Sequence, residues 1–423
     1  MKRRRAAVGF VAASVAPLAI ALIASACSSG KQTLGYELGA ERDAAVPSAD
    51  GGAGDFSADV HLPWFGGPAY HARWPNGLPP SVSYVPIGVW MQSPDNAERY
   101  RAVGVNLFIG LWEGPTDEQL DALPAPAVST FCGQSGVWES RLDDRAISGW
   151  MHDESPDNAQ EQPDGSYGPC IEPGVMQEHY AQMVRRDPSR PVLLLLGQGV
   201  ADAEWPGRGS CSGRDEMYPE YARAGDVLGY YSYPLARGRP LELIATGADN
   251  LLQWSGRQKP VIALVEASSI DGAPRPTPEQ LRAEVWLALV RGAAGIAYYC
   301  HRFMPDFSEI DCLENSATRS ALARINAEIT GLAPALNSPM VGNGVTVDAD
   351  VPIATRLTRV SGVTYLFAVS LAPEPTHALF QLRGLAGRAS AVAIGEDRTL
   401  ELDGGQLADD FSGHGVRLYR IER

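Results

Sequence analysis

Eight short apolar runs recur between residues 84 and 301, and none keeps the strict alternation of a half-exposed strand. They are YVPIGVWMQ (84–92), VNLFIGLWE (105–113), AVSTFC (127–132), AISGWMHDE (146–154), PVLLLLGQG (191–199), DVLGYYSYP (226–234), KPVIALVEAS (259–268) and AAGIAYYCH (293–301). Continuous apolar strands belong to parallel sheets covered on both faces. Helical stretches separate most of the runs: residues 96–103, a capped start at Thr116, 174–187, 241–255, and 278–291. In the last, Leu281, Val285, Trp286 and Leu289 share one face. Eight such units predict a closed (β/α)8 barrel. A doubly wound sheet is the rival, but the chain has no Gly-rich phosphate turn between a strand and a helix.

The texture changes after a helix near 315–335. ATRLTRV, VTYLFAVSLA, HALFQLRGL, ASAVAIG, RTLELDGG and VRLYRIER are short alternating runs divided by turn residues, which predict a C-terminal antiparallel β-sandwich over 336–423. The barrel is expected over 61–335. Tyr365, Phe367, Phe380 and Tyr419 fall on alternating strand positions and read as packing residues.

The N-terminus carries a different message. Lys2 and Arg3 to Arg5 precede an apolar stretch from Ala6 to Ile23, and Ala24-Ser25-Ala26 stand before Cys27. This is an export signal. It resembles a bacterial lipoprotein signal over 1–27, with Cys27 the residue to be lipidated; Ala24 stands where that pattern prefers Leu. A plain signal peptide or an uncleaved anchor is the alternative. Residues 28–60 read as a flexible tether, while the aromatic-bearing segment 61–80 can dock on the barrel.

Removing the signal takes four basic and no acidic residues, and shifts the formal net charge from −15 to −19. Such a surface repels nucleic acid and anionic lipid. Five cysteines then remain, in a chain expected where disulfides persist. Cys300 and Cys312 flank a short loop, and Cys170 and Cys211 sit in long connections, so these pairings are expected, leaving Cys132 as a free thiol. No cysteine or histidine spacing suggests a metal site, and no cofactor is implied.

Two runs stop on a glutamate, Glu154 on the fourth and Glu266 on the seventh. A pair of carboxylates at the C-terminal ends of barrel strands suits glycosidic bond cleavage, one as proton donor and one as nucleophile or base. Other strand ends offer groups that bind sugar hydroxyls or stack on sugar rings: Gln92, Trp112, Glu113, His152, Asp153, Gln198, Tyr231, Tyr233 and His301. Trp90, Trp150 and Trp286 read mainly as core. Glu113 is a third strand-end acid and the reserve partner for Glu266.

With acids on strands four and seven, residues 84–423 resemble the glycoside hydrolase clan built on a (β/α)8 barrel; LRAEVWLALVRGAAGIAYYCH (281–301) looks like its seventh helix and eighth strand. The resemblance implies Glu154 as acid/base, Glu266 as nucleophile, retention of anomeric configuration and a carbohydrate substrate. Tyr231 or Tyr233 would hydrogen-bond the nucleophile. One position departs: Asp153 stands where such enzymes commonly have Asn. Aspartate accepts from a hydroxyl but cannot donate, and its charge would help keep Glu154 protonated. A non-catalytic carbohydrate-binding or scaffold lipoprotein with the same barrel is the competing expectation. Oligomeric state is not legible.

Overall fold

The computed structural model describes residues 56–153 and 155–422. The export signal, Cys27, most of the expected tether and Glu154 therefore lie outside the described residues.

All eight expected barrel strands are present, each trimmed at its ends: β1 (Ile87–Gln92), β2 (Leu107–Leu111), β3 (Ser129–Cys132), β4 (Ile147–Met151), β5 (Val192–Leu196), β6 (Val227–Tyr231), β7 (Val261–Glu266) and β8 (Gly295–Tyr299). They pair in sequence order, all parallel, and β8 closes on β1 through Ile87↔Ile296 and Val89↔Tyr298. The helices are α1 (Pro68–His71), α2 (Ala97–Arg101), α3 (Asp117–Ala122), α4 (Pro173–Arg186), α5 (Met217–Tyr221), α6 (Glu242–Trp254), α7 (Pro278–Val290), α8 (Asp311–Glu314), α9 (Ser316–Gly331) and α10 (Ala333–Leu336).

Alternation along each strand sorts the core. Leu107, Ile109, Phe131, Met151, Leu193, Val227, Ile262, Leu264 and Ala297 fill the barrel interior. Their neighbours Phe108, Trp150, Leu194, Leu228, Ala263, Val265 and Ile296 face the helices. Gly149 lies against Phe131, where an added Cβ would come within 2.2 Å of the ring. Segment 61–80 docks on the barrel: Leu78 enters the interior cluster, and Asn76 N–H bonds Ser189 O at 3.1 Å just ahead of β5. No helix among the described residues is long and apolar enough to cross a membrane.

The C-terminal domain comprises β9 (Val345–Ala349), β10 (Ile353–Val360), β11 (Val363–Ser370), β12 (Thr376–Leu382), β13 (Arg388–Ala393), β14 (Thr399–Asp403), β15 (Gln406–Phe411) and β16 (Val416–Glu422). These form one antiparallel sheet in the order β10-β11-β16-β13-β14-β15-β12-β9, coiled until its end strands approach one another. Leu366, Phe380, Leu402, Leu407, Tyr419 and Ile421 fill the space it encloses. The opposite register of β11 and β16, with Phe367, Val369, Val416 and Leu418, packs onto the barrel.

Helix α7 sits between the two. From Ala283 to Val290 every residue is buried, because β7 and β8 cover one side and β11 covers the other. A single apolar face was the expectation; the β-domain requires two. Residues 56–60, assigned by composition to the tether, instead dock on the β-domain. Asp59 pairs with Arg359, whose guanidinium lies 3.9 Å from the Phe56 ring centroid, and Gly342 N–H bonds Val60 O at 2.8 Å. One aromatic ring, one buried ion pair and backbone hydrogen bonds hold this segment in place.

Cys170–Cys211 and Cys300–Cys312 are disulfide-bonded, with Cα atoms 6.0 Å and 5.1 Å apart. Cys132 is unpaired and buried, and burial pushes its thiol up to about 12.

Candidate active site

Ile262 and Leu264 point into the barrel, so the two-residue period of β7 sends Glu266 inward at the C-terminal end. Its side chain is fully buried. One carboxyl oxygen accepts from Leu235 N–H at 2.7 Å and the other from Ala236 N–H at 3.0 Å. Both donors belong to the short 3-10 turn Leu235–Arg237 that follows β6. Burial pushes the carboxyl up to about 7, while these two amides and the nearby Arg237 pull the other way.

A second acid lies behind it. Glu284 of α7 is completely buried, and no side chain bonds its carboxyl. Burial raises its pKa well above the ordinary value, and the charge of Glu266 adds to the shift. Two carboxyls in one apolar setting do not both ionise readily. Burial favours the neutral form of Glu284.

Around Glu266 the mouth of the barrel is lined by rings. Tyr231 and Tyr233 stack at 5.4 Å, Tyr233 meets Tyr299 at 5.1 Å, and Tyr299 stacks on Trp90 at 5.5 Å. Trp90 meets His301 at 5.6 Å, and His301 meets Trp112 edge-on at 4.8 Å. Trp90 is thus a half-buried mouth residue and not the core residue its surroundings in sequence suggested.

The sequence-derived candidates divide. Gln92 is buried and donates to Glu309 O at 2.9 Å, tying β1 to the loop after β8. Gln198 is buried and accepts from Tyr233 N–H at 3.3 Å. Tyr231 accepts at its hydroxyl from the Asn158 amide, which joins it to the loop after β4. His301 bonds Met91 O through Nε2 at 2.7 Å, and burial lowers its pKa to about 4, so the imidazole is neutral. These residues converge on the mouth with Glu266. Trp112 stands at its edge, and Glu113 beyond it is exposed in a left-handed backbone conformation (φ 57°). Asp153 is exposed, its carboxyl against Gly133 at the end of β3.

His152 is not brought to the mouth. It follows the inward Met151, so it turns to the outer layer and bonds Ala224 O at 2.8 Å. The signal was available in the alternation of β4.

Sequence reasoning missed Tyr299, Asn158, Phe303, Phe307 and Glu284. Tyr299 was legible as the inward residue two before His301. Glu284 was legible as a lone acid among the apolar residues of α7. Asn158 was not, because its partner Tyr231 lies 73 positions away. Among the described residues, no group of three or more His, Cys, Asp or Glu is placed to hold a metal ion.

No family model matches the chain, and no curated protein matches it. Solved structures do. An α-amylase from Geobacillus thermoleovorans, in complex with acarbose, superposes with a TM-score of 0.51 over 81% of this chain and 99% of its own, at 11% identity. A catalytic mutant of a GH42 β-galactosidase from G. stearothermophilus gives 0.55 over 81% and 98%, at 8% identity. What this chain has in common with both is the fold.

Proposed function

We propose that the chain is a glycoside hydrolase, exported and lipid-anchored through Cys27, that cleaves O-glycosidic bonds with retention of configuration. The observation that carries this is Glu266: an inward carboxylate at the C-terminal end of β7, set in a ring-lined mouth. Its barrel shares the fold of an amylase and a galactosidase. Glu154 follows β4 in the chain. In this mechanism Glu154 protonates the leaving oxygen while Glu266 attacks the anomeric carbon. Glu154 then takes a proton from the water that breaks the glycosyl–Glu266 ester. The amides of Leu235 and Ala236 hold Glu266 in place, and His301 serves as a neutral hydrogen-bonding group.

The test is hydrolysis of a panel of aryl glycosides and polysaccharides by the wild type, Glu154→Gln and Glu266→Gln. Both changes should abolish turnover and leave glycan binding in place, and Cys27→Ser should move the protein out of the membrane fraction. Undiminished turnover by Glu266→Gln would overturn the mechanism, as would carboxyls much farther apart than the roughly 5–5.5 Å that retention requires.

One observation favours a non-catalytic carbohydrate-binding protein instead. Glu266 is fully buried and already spends both oxygens on backbone amides, so the Leu235–Arg237 turn must move before an anomeric carbon can reach it. Absence of turnover across the panel, with binding intact, would select that alternative.

A further inference from the structure

The hairpin loop after β8 ends the line of rings in an exposed apolar tip. Phe303, Met304 and Phe307 are 40%, 53% and 49% exposed. Large apolar side chains scattered singly over a surface need no explanation. Three within five residues do, because burial elsewhere would be favourable and nothing in the described fold covers them.

The loop is also braced. Arg302 and Ser308 exchange backbone hydrogen bonds at 2.9 Å and 2.8 Å, Arg302 pairs with Asp311 at 2.8 Å and Asp306 at 2.6 Å, and Cys300–Cys312 closes the base. A loop held this way presents its rings at little further entropic cost on binding. Phe307 stacks on Trp112 at 5.4 Å with planes 27° apart, and Phe303 meets Phe307 at 5.4 Å. Trp112 in turn meets His301, so the exposed face continues the rings of the mouth without a break.

We propose that Phe303, Phe307 and Trp112 form a binding platform for a neutral glycan chain that extends outward from the barrel mouth. The proposal rests on the mouth being a sugar site, and it narrows the substrate class to oligo- or polysaccharides. The ring contacts run from Tyr233 through Tyr299, Trp90, His301, Trp112 and Phe307 to Phe303, more rings than one sugar can stack on. Aromatic faces pack against sugar C–H surfaces, while the exposed carboxylate of Glu113, next to Trp112, accepts from hydroxyls. This acid, in a chain with a net charge of −15, opposes an anionic lipid surface, so the platform suits an uncharged polyhydroxylated partner.

The test is affinity electrophoresis of the full chain in gels containing soluble starch, arabinoxylan, galactomannan or mixed-linkage β-glucan. Phe303→Ala/Phe307→Ala is compared with the wild type and with Phe303→Tyr/Phe307→Tyr. The wild type should be retarded by at least one polymer. The alanine pair should weaken that affinity by about tenfold, and the tyrosine pair should restore it. No retardation of the wild type by any of the four polymers, or equal retardation of wild type and alanine pair, would overturn the platform. So would binding to phosphatidylglycerol vesicles that the alanine pair removes, which would assign the tip to lipid. The two proposals fail separately: retardation without turnover sinks the hydrolase and keeps the platform, whereas turnover on aryl glycosides without retardation does the reverse.

Discussion

Burial and hydrogen bonding make opposite demands on Glu266. Loss of hydration favours its protonated form, two backbone amides favour the carboxylate, and burial wins, with the group pushed up to about 7. Its folded-state pKa therefore exceeds the ordinary carboxylate value. The stability that this group contributes is fully present below about pH 4.5 and is lost as pH rises through about 7. The wild type should lose stability across that window, and Glu266→Gln should lack that part of the slope in denaturant titrations at several pH values. If Glu284 holds its proton throughout, Glu284→Gln replaces a neutral acid by its closest neutral analogue and leaves the slope in place. A displaced slope in that variant would show that Glu284 ionises. The inward position of Glu266 could be read from β7 alone. Its amide partners could not, because Leu235 lies 31 residues earlier in a turn whose path no local pattern specifies.

At the scale of elements, the strands were the most legible part of the chain. A parallel barrel strand is buried on both faces, so its apolar run is continuous and its limits show as Gly, Pro or charge. The long connections were not. Residues 155–170 fold over the mouth through Asn158–Tyr231 and through Asp157, which is fully buried and accepts from Gly197 N–H at 2.7 Å. Such polar contacts leave no periodic trace. Helix α7 shows how tertiary context enlarges a pattern. Four of its apolar residues mark one face, yet Ala283, Leu287, Ala288 and Val290 are also buried. Trp286 joins the two layers: its ring meets Phe367 at 5.4 Å and its indole N–H bonds Glu328 at 3.1 Å. Trp286→Ala should cost about 3–5 kcal/mol by equilibrium unfolding. A loss under 1 kcal/mol would show that the layers do not depend on this contact.

For the molecule as a whole, the barrel and β-domain are not separable modules. Arg356 of β10 is fully buried and donates to Leu289 O of α7 at 2.9 Å and to Leu336 O of α10. Cutting the chain after residue 335 would expose the outer side of α7, sever α10 before Leu336 and strand the Leu289 carbonyl. The fragment 61–335 should be insoluble or should unfold without a cooperative transition; a soluble fragment with a sharp thermal transition would overturn that expectation. The change of texture after residue 335 is legible in the sequence. The dependence of barrel and β-domain on each other is not, since it rests on side chains from both.

Docking of residues 56–62 on the β-domain has a mechanical consequence. Tension applied at the N-terminal end enters the fold at the Phe56–Arg359 contact and the His61–Val341 bridge. The first bonds to shear would be those that hold this segment to residues 340–343 and Arg359, and the stretch around Asn76 and Leu78 on the barrel would be loaded only after they fail.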